Sequence, residues 1–496
     1  MNTQIRKLVA GLLALYVALF AALNVTQVVR KESLDADPKN NRQTIRDFNR
    51  PRGQIITADG VVVAESVPTL GDAQYKYQRQ YPLGDLFSNI TGYYTYSFGS
   101  TQLERTQTSV LMGDTGPQKL SGLLGSADNS GNVRLTLRAD VQRVAADALG
   151  EQEGSVVVTD PSTGAVIAMV SYPRYDANAV ATHDTTQAET VLNALNAAPG
   201  KPLLANAYQE NYMPGSSFKI LTASIAFENG VTALDRVFPD ESSWTPPQTT
   251  DPITNYAGHT CGGTMTQVFF RSCNIAFARL SSELGPERMT TGVRAWGVGE
   301  KLPIDLPGAA ASTFCGNVTP CDASFFKDQL PLLAIGGFGQ GNDLMVPLHM
   351  CMIAATVANG GKMMKPYVVD ATLNHHGGVL QRTNPAVWKS PIGAGTAATL
   401  TAMMIEVVNQ GTGTKMQLDN GIQAAAKTGT AQLNAGDEPQ RSHAWIVGFA
   451  PAAAPRYAVA VVLKGTNAEI SAGTGGKLAG PIAKKVLDYL FTSEPT

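Results

Sequence analysis

Strand-like runs stand at both ends of the second part of this chain, and helical runs fill the space between them. Residues 155–159 and 165–171 are short apolar stretches joined by Asp160-Pro161-Ser162-Thr163-Gly164, a hairpin turn composition. Residues 424–432, 444–450 and 457–463 read as three more strands. Helices dominate from 216 to about 290, and Ala483, Val486, Leu487 and Leu490 make a last apolar helical face. Strands first and last with helices between them imply an antiparallel sheet in which the two sequence halves meet, flanked by helices. The expected class is therefore α+β. This domain opens near Leu135, where Val141, Val144, Ala145, Ala148 and Leu149 form a helical face ended by Gly150, and it extends over 135–496.

At 496 residues the chain is too long for one ordinary domain. Residues 8–29 are almost wholly apolar, broken only by Asn24, Thr26 and Gln27, and are bounded by Arg6-Lys7 and Arg30-Lys31. As a helix this run spans a bilayer. A cleaved signal needs small residues at the first and third positions before the cut, and 18–24 offers no good pair. The run therefore reads as an uncleaved transmembrane anchor behind a short cytoplasmic head, 1–7. Arg30, Lys31, Lys39, Arg42 and Arg46 outnumber Arg6 and Lys7, which by charge alone argues for a cytoplasmic C-terminus. Large domains are translocated largely regardless of such charges, so topology follows from what the domain does.

Between anchor and second domain lies a smaller module, 30–134, read as β-rich and non-catalytic. Its clearest signal is two short strands around the Asp59-Gly60 turn. Asn89-Ile90-Thr91 is read as a chance sequon. A net charge of −2 with 16% charged residues gives no basic field, which argues against a nucleic-acid partner.

Three polar clusters carry chemistry. The first is Pro214-Gly215-Ser216-Ser217-Phe218-Lys219, followed by an apolar helical run that Gly230 stops. The helix is expected to begin at Ser216, which sets the Lys219 amine within reach of the Ser216 hydroxyl. Lysine can serve as that serine's base only when uncharged, and both the helix dipole and burial favour the neutral form. A second S-x-x-K exists, Ser324 with Lys327. The next cluster is Ser272-Cys273-Asn274 between two helix-like runs; residues two apart share a side only in an extended segment, so this triplet is expected as a loop. The last is Lys427-Thr428-Gly429-Thr430 in a strand, where glycine lets another backbone approach closely. His375-His376 reads as a hairpin tip, and no Cys/His spacing suggests a metal site.

S-x-x-K, S-x-N and K-T-G in that order resemble the penicillin-binding protein and serine β-lactamase superfamily. Order removes the decoys: Ser324 has no later S-x-N, and Ser130-Gly131-Asn132 precedes any S-x-x-K. The flanks Asp160-Pro161, His443-Ala444-Trp445 and Gly339-Gln340-Gly341, with Arg52-Gly53 upstream, are similar to class B penicillin-binding proteins of actinobacterial type. The resemblance implies the penicillin-binding transpeptidase fold, with Ser216 as acylated nucleophile, Lys219 as its base and Ser272 as proton relay. Asn274 would hold the substrate amide, while Lys427, Thr428, Gly429 and Thr430 would form the carboxylate site. Backbone N–H groups of Ser216 and Thr430 would make the oxyanion hole.

Within that superfamily, class A β-lactamases use a glutamate downstream of S-D-N to position water. Here the middle residue is Cys273, and no glutamate occurs between Glu300 and Glu406. The resemblance therefore implies peptidoglycan D,D-transpeptidation, inhibited by β-lactams, with stem peptides as substrate and no cofactor. The alternatives are a D,D-carboxypeptidase or a non-catalytic scaffold of the division machinery. The roughly 100 residues after the anchor are too few for a glycosyltransferase domain. A polytopic SEDS-type glycosyltransferase is accordingly expected as partner, with the catalytic domain outside the membrane. An oxidising exterior permits disulfides. Cys261 with Cys273, and Cys315 with Cys321, are the expected pairs, and the alternative leaves all thiols free and buried.

Overall fold

The computed structural model describes residues 3–25, 47–71, 75–116, 118, 129–419, 421–434 and 441–493, which divide into two compact units. One unit comprises 1–51 and 67–78. It holds α1 (Thr3–Asn24), an apolar helix of 22 residues with no buried residue, long enough to cross a bilayer as a single-pass anchor. Residues 26–29 of the expected span lie outside the described residues, as do Arg30, Lys31, Lys39, Arg42 and Arg46. The same unit packs the Phe48 and Tyr75 rings 5.6 Å apart.

The other unit, 52–66 and 79–496, contains the elements that position the site. It begins with β1 (Ile55–Ile56), the first five residues of β2 (Val62–Pro68), β3 (Asn132–Leu135) and α2 (Ala139–Leu149), then the hairpin β4 (Gly154–Thr159) and β5 (Val166–Tyr172). Next come α3 (Lys219–Glu228), the ladder β6 (Val237–Glu241) with β7 (Cys261–Thr264), α4 (Met265–Phe270) and α5 (Asn274–Ala295). The later elements are α6 (Pro347–Ala358), β8 (Val369–Leu373), β9 (Val379–Arg382), α7 (Ala394–Asn409), β10 (Ala425–Gln432), β11 (Ser442–Ala450), β12 (Tyr457–Leu463) and α8 (Gly475–Ser493).

The central sheet has the order β10-β11-β12-β4-β5 and is antiparallel throughout. The sequence halves meet where β12 pairs with β4, from Ala458 opposite Thr159 to Leu463 opposite Gly154. Every residue of β4, β11 and β12 is buried, which is why these strands read as continuous apolar runs rather than alternating ones. Helices α2 and α8 pack on one another and on the sheet, while α6 packs on β12 and β4. Each fully buried Val, Ile or Phe in such a layer is worth about 2 kcal/mol of transfer free energy.

A second sheet draws on distant parts of the chain. β3 runs parallel to β1, pairing Val133 with Ile55, and antiparallel to β8, pairing Val133 with Thr372. β8 and β9 form a hairpin whose tip carries His375 and His376. Beside this sheet the buried Glu104 carboxylate accepts Arg52 Nε and Arg79 Nε, each at 2.6 Å. Burial would raise its pKa, but the two guanidinium groups hold it below the usual range. Asp59 of the early turn reaches the exposed N-terminus of α2, accepting the Ala139 N–H at 2.9 Å.

Two details depart from the sequence reading. The region from 216 to 290 is not helical throughout: the β6–β7 ladder and a two-residue ladder, Ser243–Trp244 with Ile253–Thr254, stand between α3 and α4. Their strands are too short to show a period. Helix α5 also continues past Gly285, where a glycine after the apolar run from Ile275 to Leu284 reads as a helix stop: it breaks there (φ 74°) and resumes at Pro286, a residue suited to a helix's first turn.

Candidate active site

One turn of 3-10 helix, Gly215–Phe218, precedes α3, so the α-helix proper begins at Lys219 rather than at Ser216. One distant and one local hydrogen bond hold this tighter turn. Gly215, at φ 52°, donates its N–H to Gly339 O at 2.9 Å, and Ser217 Oγ donates to Pro214 O at 2.7 Å. Ser216 is half-buried, and among the described residues its hydroxyl makes no hydrogen bond.

Lys219 is fully buried, and its amine lies against the second cluster. Nζ donates to Ser272 O at 2.7 Å and to Asn274 Oδ1 at 2.9 Å, with Ser272 Oγ at 3.4 Å. The rings of Phe277 and Phe338 stand 5.3 Å and 5.9 Å from it. Burial, and then the charge of Lys427, push this amine well below the ordinary lysine range. A neutral amine has two N–H bonds and one lone pair. Two close acceptors occupy the N–H bonds, which leaves the lone pair for an incoming proton.

Ser272 sits at φ 63° in the short connection between α4 and α5, and this conformation accompanies its carbonyl's approach to Lys219. Its hydroxyl meets the third cluster: Lys427 Nζ lies 2.9 Å from Ser272 Oγ and 3.2 Å from Thr428 O. Burial brings Lys427 down to about 7. Asn274, the first residue of α5, donates Nδ2 to Thr254 O at 3.2 Å, which orients Oδ1 to the lysine. Cys273 is joined to Cys261 with Cα atoms 5.6 Å apart, and Cys315 to Cys321 with Cα atoms 5.5 Å apart; Cys351 is a buried free thiol.

Strand β10 runs against the turn that carries Ser216. A Cβ on Gly429 would stand 2.4 Å from Pro214 O and 3.1 Å from Ser217 N, and one on Gly215 would stand 2.5 Å from Thr430 O. Opposite Gly429 on β11 is Trp445, whose Nε1 donates to Met213 O at 2.9 Å and ties the sheet to the same turn. Thr430 is half-buried, and its Oγ1 accepts the Gly475 N–H at 3.3 Å. Thr428 Oγ1 pairs with Thr412 Oγ1 at 2.5 Å.

The structure thus brings Ser216, Lys219, Ser272, Asn274 and residues 427–430 to one place. Both decoys lie elsewhere: Ser324 and Lys327 are exposed, with Ser324 Oγ bonded to Asp322 at 2.5 Å, and Asn132 serves the second sheet by accepting Gln54 N–H. Sequence reasoning missed Thr412 and Asn255. Gly411-Thr412-Gly413 reads only as a turn, and no sequence signal marks Asn255.

An antiparallel sheet flanked by helices, a half-buried serine, a lysine depressed by burial and a second lysine that shares Ser272 with it define an active-serine acyltransferase of the penicillin-recognising class. The penicillin binding protein transpeptidase domain matches residues 154–488, and the penicillin binding protein A dimerisation domain matches 52–133. The chain belongs to the penicillin-binding protein transpeptidase family. Peptidoglycan D,D-transpeptidase PbpA of Mycolicibacterium smegmatis is 34% identical over 503 residues, 98% of each chain. PbpA of Mycobacterium tuberculosis is 33% identical over 510 residues, all of each chain. The structure of the M. tuberculosis penicillin-binding protein A as its penicillin G acyl-enzyme superposes with a TM-score of 0.80 at 30% identity, covering 89% of this chain and 100% of that one.

Proposed function

We infer that this chain is a peptidoglycan D,D-transpeptidase, acylated and inhibited by β-lactams. The observation that carries the reading is the buried, depressed Lys219 amine with both N–H directions taken by Ser272 and Asn274. Ser216 Oγ attacks the carbonyl between the two terminal D-alanines of a stem peptide, and its proton passes to Lys219. Backbone N–H groups of Ser216 and Thr430 receive the developing oxyanion. The C–N bond then breaks; the departing D-Ala amine takes its proton through the Ser272 hydroxyl, between Lys219 and Lys427. An amino group of a neighbouring stem attacks the ester, loses its proton along the same path and releases Ser216. Lys427, Thr428 and Thr430 bind the terminal carboxylate, Gly429 keeps their strand close, and Asn274 holds the substrate amide.

Substrate chemistry assigns the catalytic domain to the outer side of the membrane, with 1–7 inside, 8–29 as the anchor, 30–134 as the non-catalytic module and 135–496 as the transpeptidase domain. A SEDS-type glycosyltransferase would supply the glycan strands. Incubating the full chain with a stem-pentapeptide donor and an amine acceptor tests the function. A cross-linked product supports the reading, tetrapeptide alone marks a carboxypeptidase, and no turnover marks a scaffold.

A further inference from the structure

Helix α5 begins at Asn274, yet its N-cap residue, Cys273, contributes no side-chain cap because its sulfur is committed to Cys261. The exposed N–H groups of a first turn need an acceptor from somewhere. It comes from Asn255, twenty residues upstream and 5% exposed, whose Oδ1 accepts the N–H of Asn274 at 2.8 Å and of Ile275 at 3.1 Å. Asn255 Nδ2 donates to Glu241 O at 2.8 Å, which orients the amide. The Glu241 carboxylate in turn binds Arg279, on the next turn of α5, at 2.8 Å. Beside Asn255, the Thr254 carbonyl accepts Asn274 Nδ2, so the Thr254-Asn255 dipeptide grips both backbone and side chain of Asn274.

We propose that Asn255 is a positioning residue: its side-chain amide fixes the start of α5 so that Asn274 keeps Oδ1 on the Lys219 amine. Cysteine in the middle of the motif holds the loop by its disulfide but cannot cap the helix, and the cap is supplied from outside the motif. Without Asn255 the first turn of α5 frays, Asn274 is free to turn, and one of the two acceptors on Lys219 is lost. A carbonyl acceptor stabilises the ammonium more than the amine, so its loss lowers the lysine pKa further, while a carboxylate at position 255 raises it. The other charged groups around this contact are Lys427, facing Lys219, and the Glu241–Arg279 ion pair.

The inference rests on the proposed acylation of Ser216 with Lys219 as base, and labelling of wild-type full-length protein at Ser216 by fluorescent penicillin tests the acylation separately. Given labelling, the acylation rate is measured across a pH series in Asn255→Ala and Asn255→Asp. Asn255→Ala should acylate roughly 10- to 100-fold more slowly, with its acid limb moved to lower pH. Asn255→Asp keeps the acceptor, and with it the helix cap, but should move the acid limb to higher pH. In Asn255→Ala a role confined to folding changes the amount of active protein and leaves the acid limb in place. Should Asn255→Ala fail to fold, Asn255→Asp decides alone: an acid limb at the wild-type position overturns the inference. Acylation of Asn255→Ala within twofold of wild type overturns it equally.

Discussion

Lys427 reaches the Ser272 hydroxyl at 2.9 Å while Lys219 sits on the carbonyl of that same serine at 2.7 Å. Two buried amines around one residue disfavour a double positive charge, and besides its burial the charge of Lys427 helps keep Lys219 neutral. Replacing Lys427 with glutamine removes the charge that depresses Lys219. The Lys219 pKa then rises, and the acid limb of the β-lactam acylation rate should move to higher pH, besides any loss of carboxylate binding. A limb unchanged in Lys427→Gln means the two amines are not coupled.

Ser216 is half-buried with an unbonded hydroxyl, whereas Ser324 is exposed and bonded to Asp322. Fluorescent penicillin labelling should vanish in Ser216→Ala and persist in Ser324→Ala. The reverse pattern would falsify the assignment of the nucleophile.

Gly429 is required by space rather than by backbone conformation. A methyl group there would lie 2.4 Å from the Pro214 carbonyl, which is backbone and cannot swing aside. Gly429→Ala should separate β10 from the nucleophile's turn, cost about 1–3 kcal/mol as overpacking does, and slow acylation at least tenfold. Thermal melts and timed labelling read the two effects, and acylation at the wild-type rate would mean that the strand accommodates the methyl group.

His349 is buried and neutral, its ring nitrogens engaged by Ser312 Oγ at 2.8 Å and Trp296 O at 2.9 Å. Burial brings its pKa from 6.5 down to about 4. Between those values the unfolded chain holds a proton that the folded chain does not, so stability is lost as pH falls through this window. His443, also near 4 for the same first reason, adds to the slope. Unfolding midpoints should drop with acidification by up to about 1.4 kcal/mol per pH unit for each histidine. His349→Gln should lessen the slope, and an equal slope in that variant would exonerate His349.

The Cys261–Cys273 bridge closes a loop with a sequence separation of 12 around the middle motif. In the chain-entropy model that is worth about 3 kcal/mol. Cys261→Ser should lower unfolding stability by a comparable amount and slow acylation, because Ser272 at φ 63° loses a tether to its neighbour. Mass spectrometry of non-reduced peptides checks the pairing itself.

What could be read from the chain beforehand follows a physical division. Ser216 to Lys219, Ser272 to Asn274 and Lys427 to Thr430 are each a run of no more than four consecutive residues, so local spacing constrains them. The apolar runs of β4, β11 and β12 announced a sheet buried on both faces. Asn255 and Thr412 stayed invisible because they act through hydrogen bonds to distant segments, and no local pattern encodes a partner. The 3-10 turn at Gly215 was hidden for the same reason, since it depends on the carbonyl of Gly339. The late strands β8 and β9 look like part of the catalytic domain in sequence, but they extend the sheet begun by β1 and β3.

Among the described residues strand β12 comes last in the chain, yet it occupies the middle of the central sheet, between β11 and β4. During synthesis the β4–β5 hairpin therefore waits with one apolar edge unpaired while Ser216, Ser272 and Lys427 emerge in turn. An open edge of this kind invites pairing with other chains, so the interval before Tyr457–Leu463 arrives is the protein's most aggregation-prone stage. It is also a chemically quiet one. Until α5 and β10 have both packed against the Gly215 turn, Lys219 lacks the burial that pushes its amine below the ordinary lysine range, and the serine three residues before it lacks an uncharged base. Acylating power arrives all at once, with the closing of the sheet.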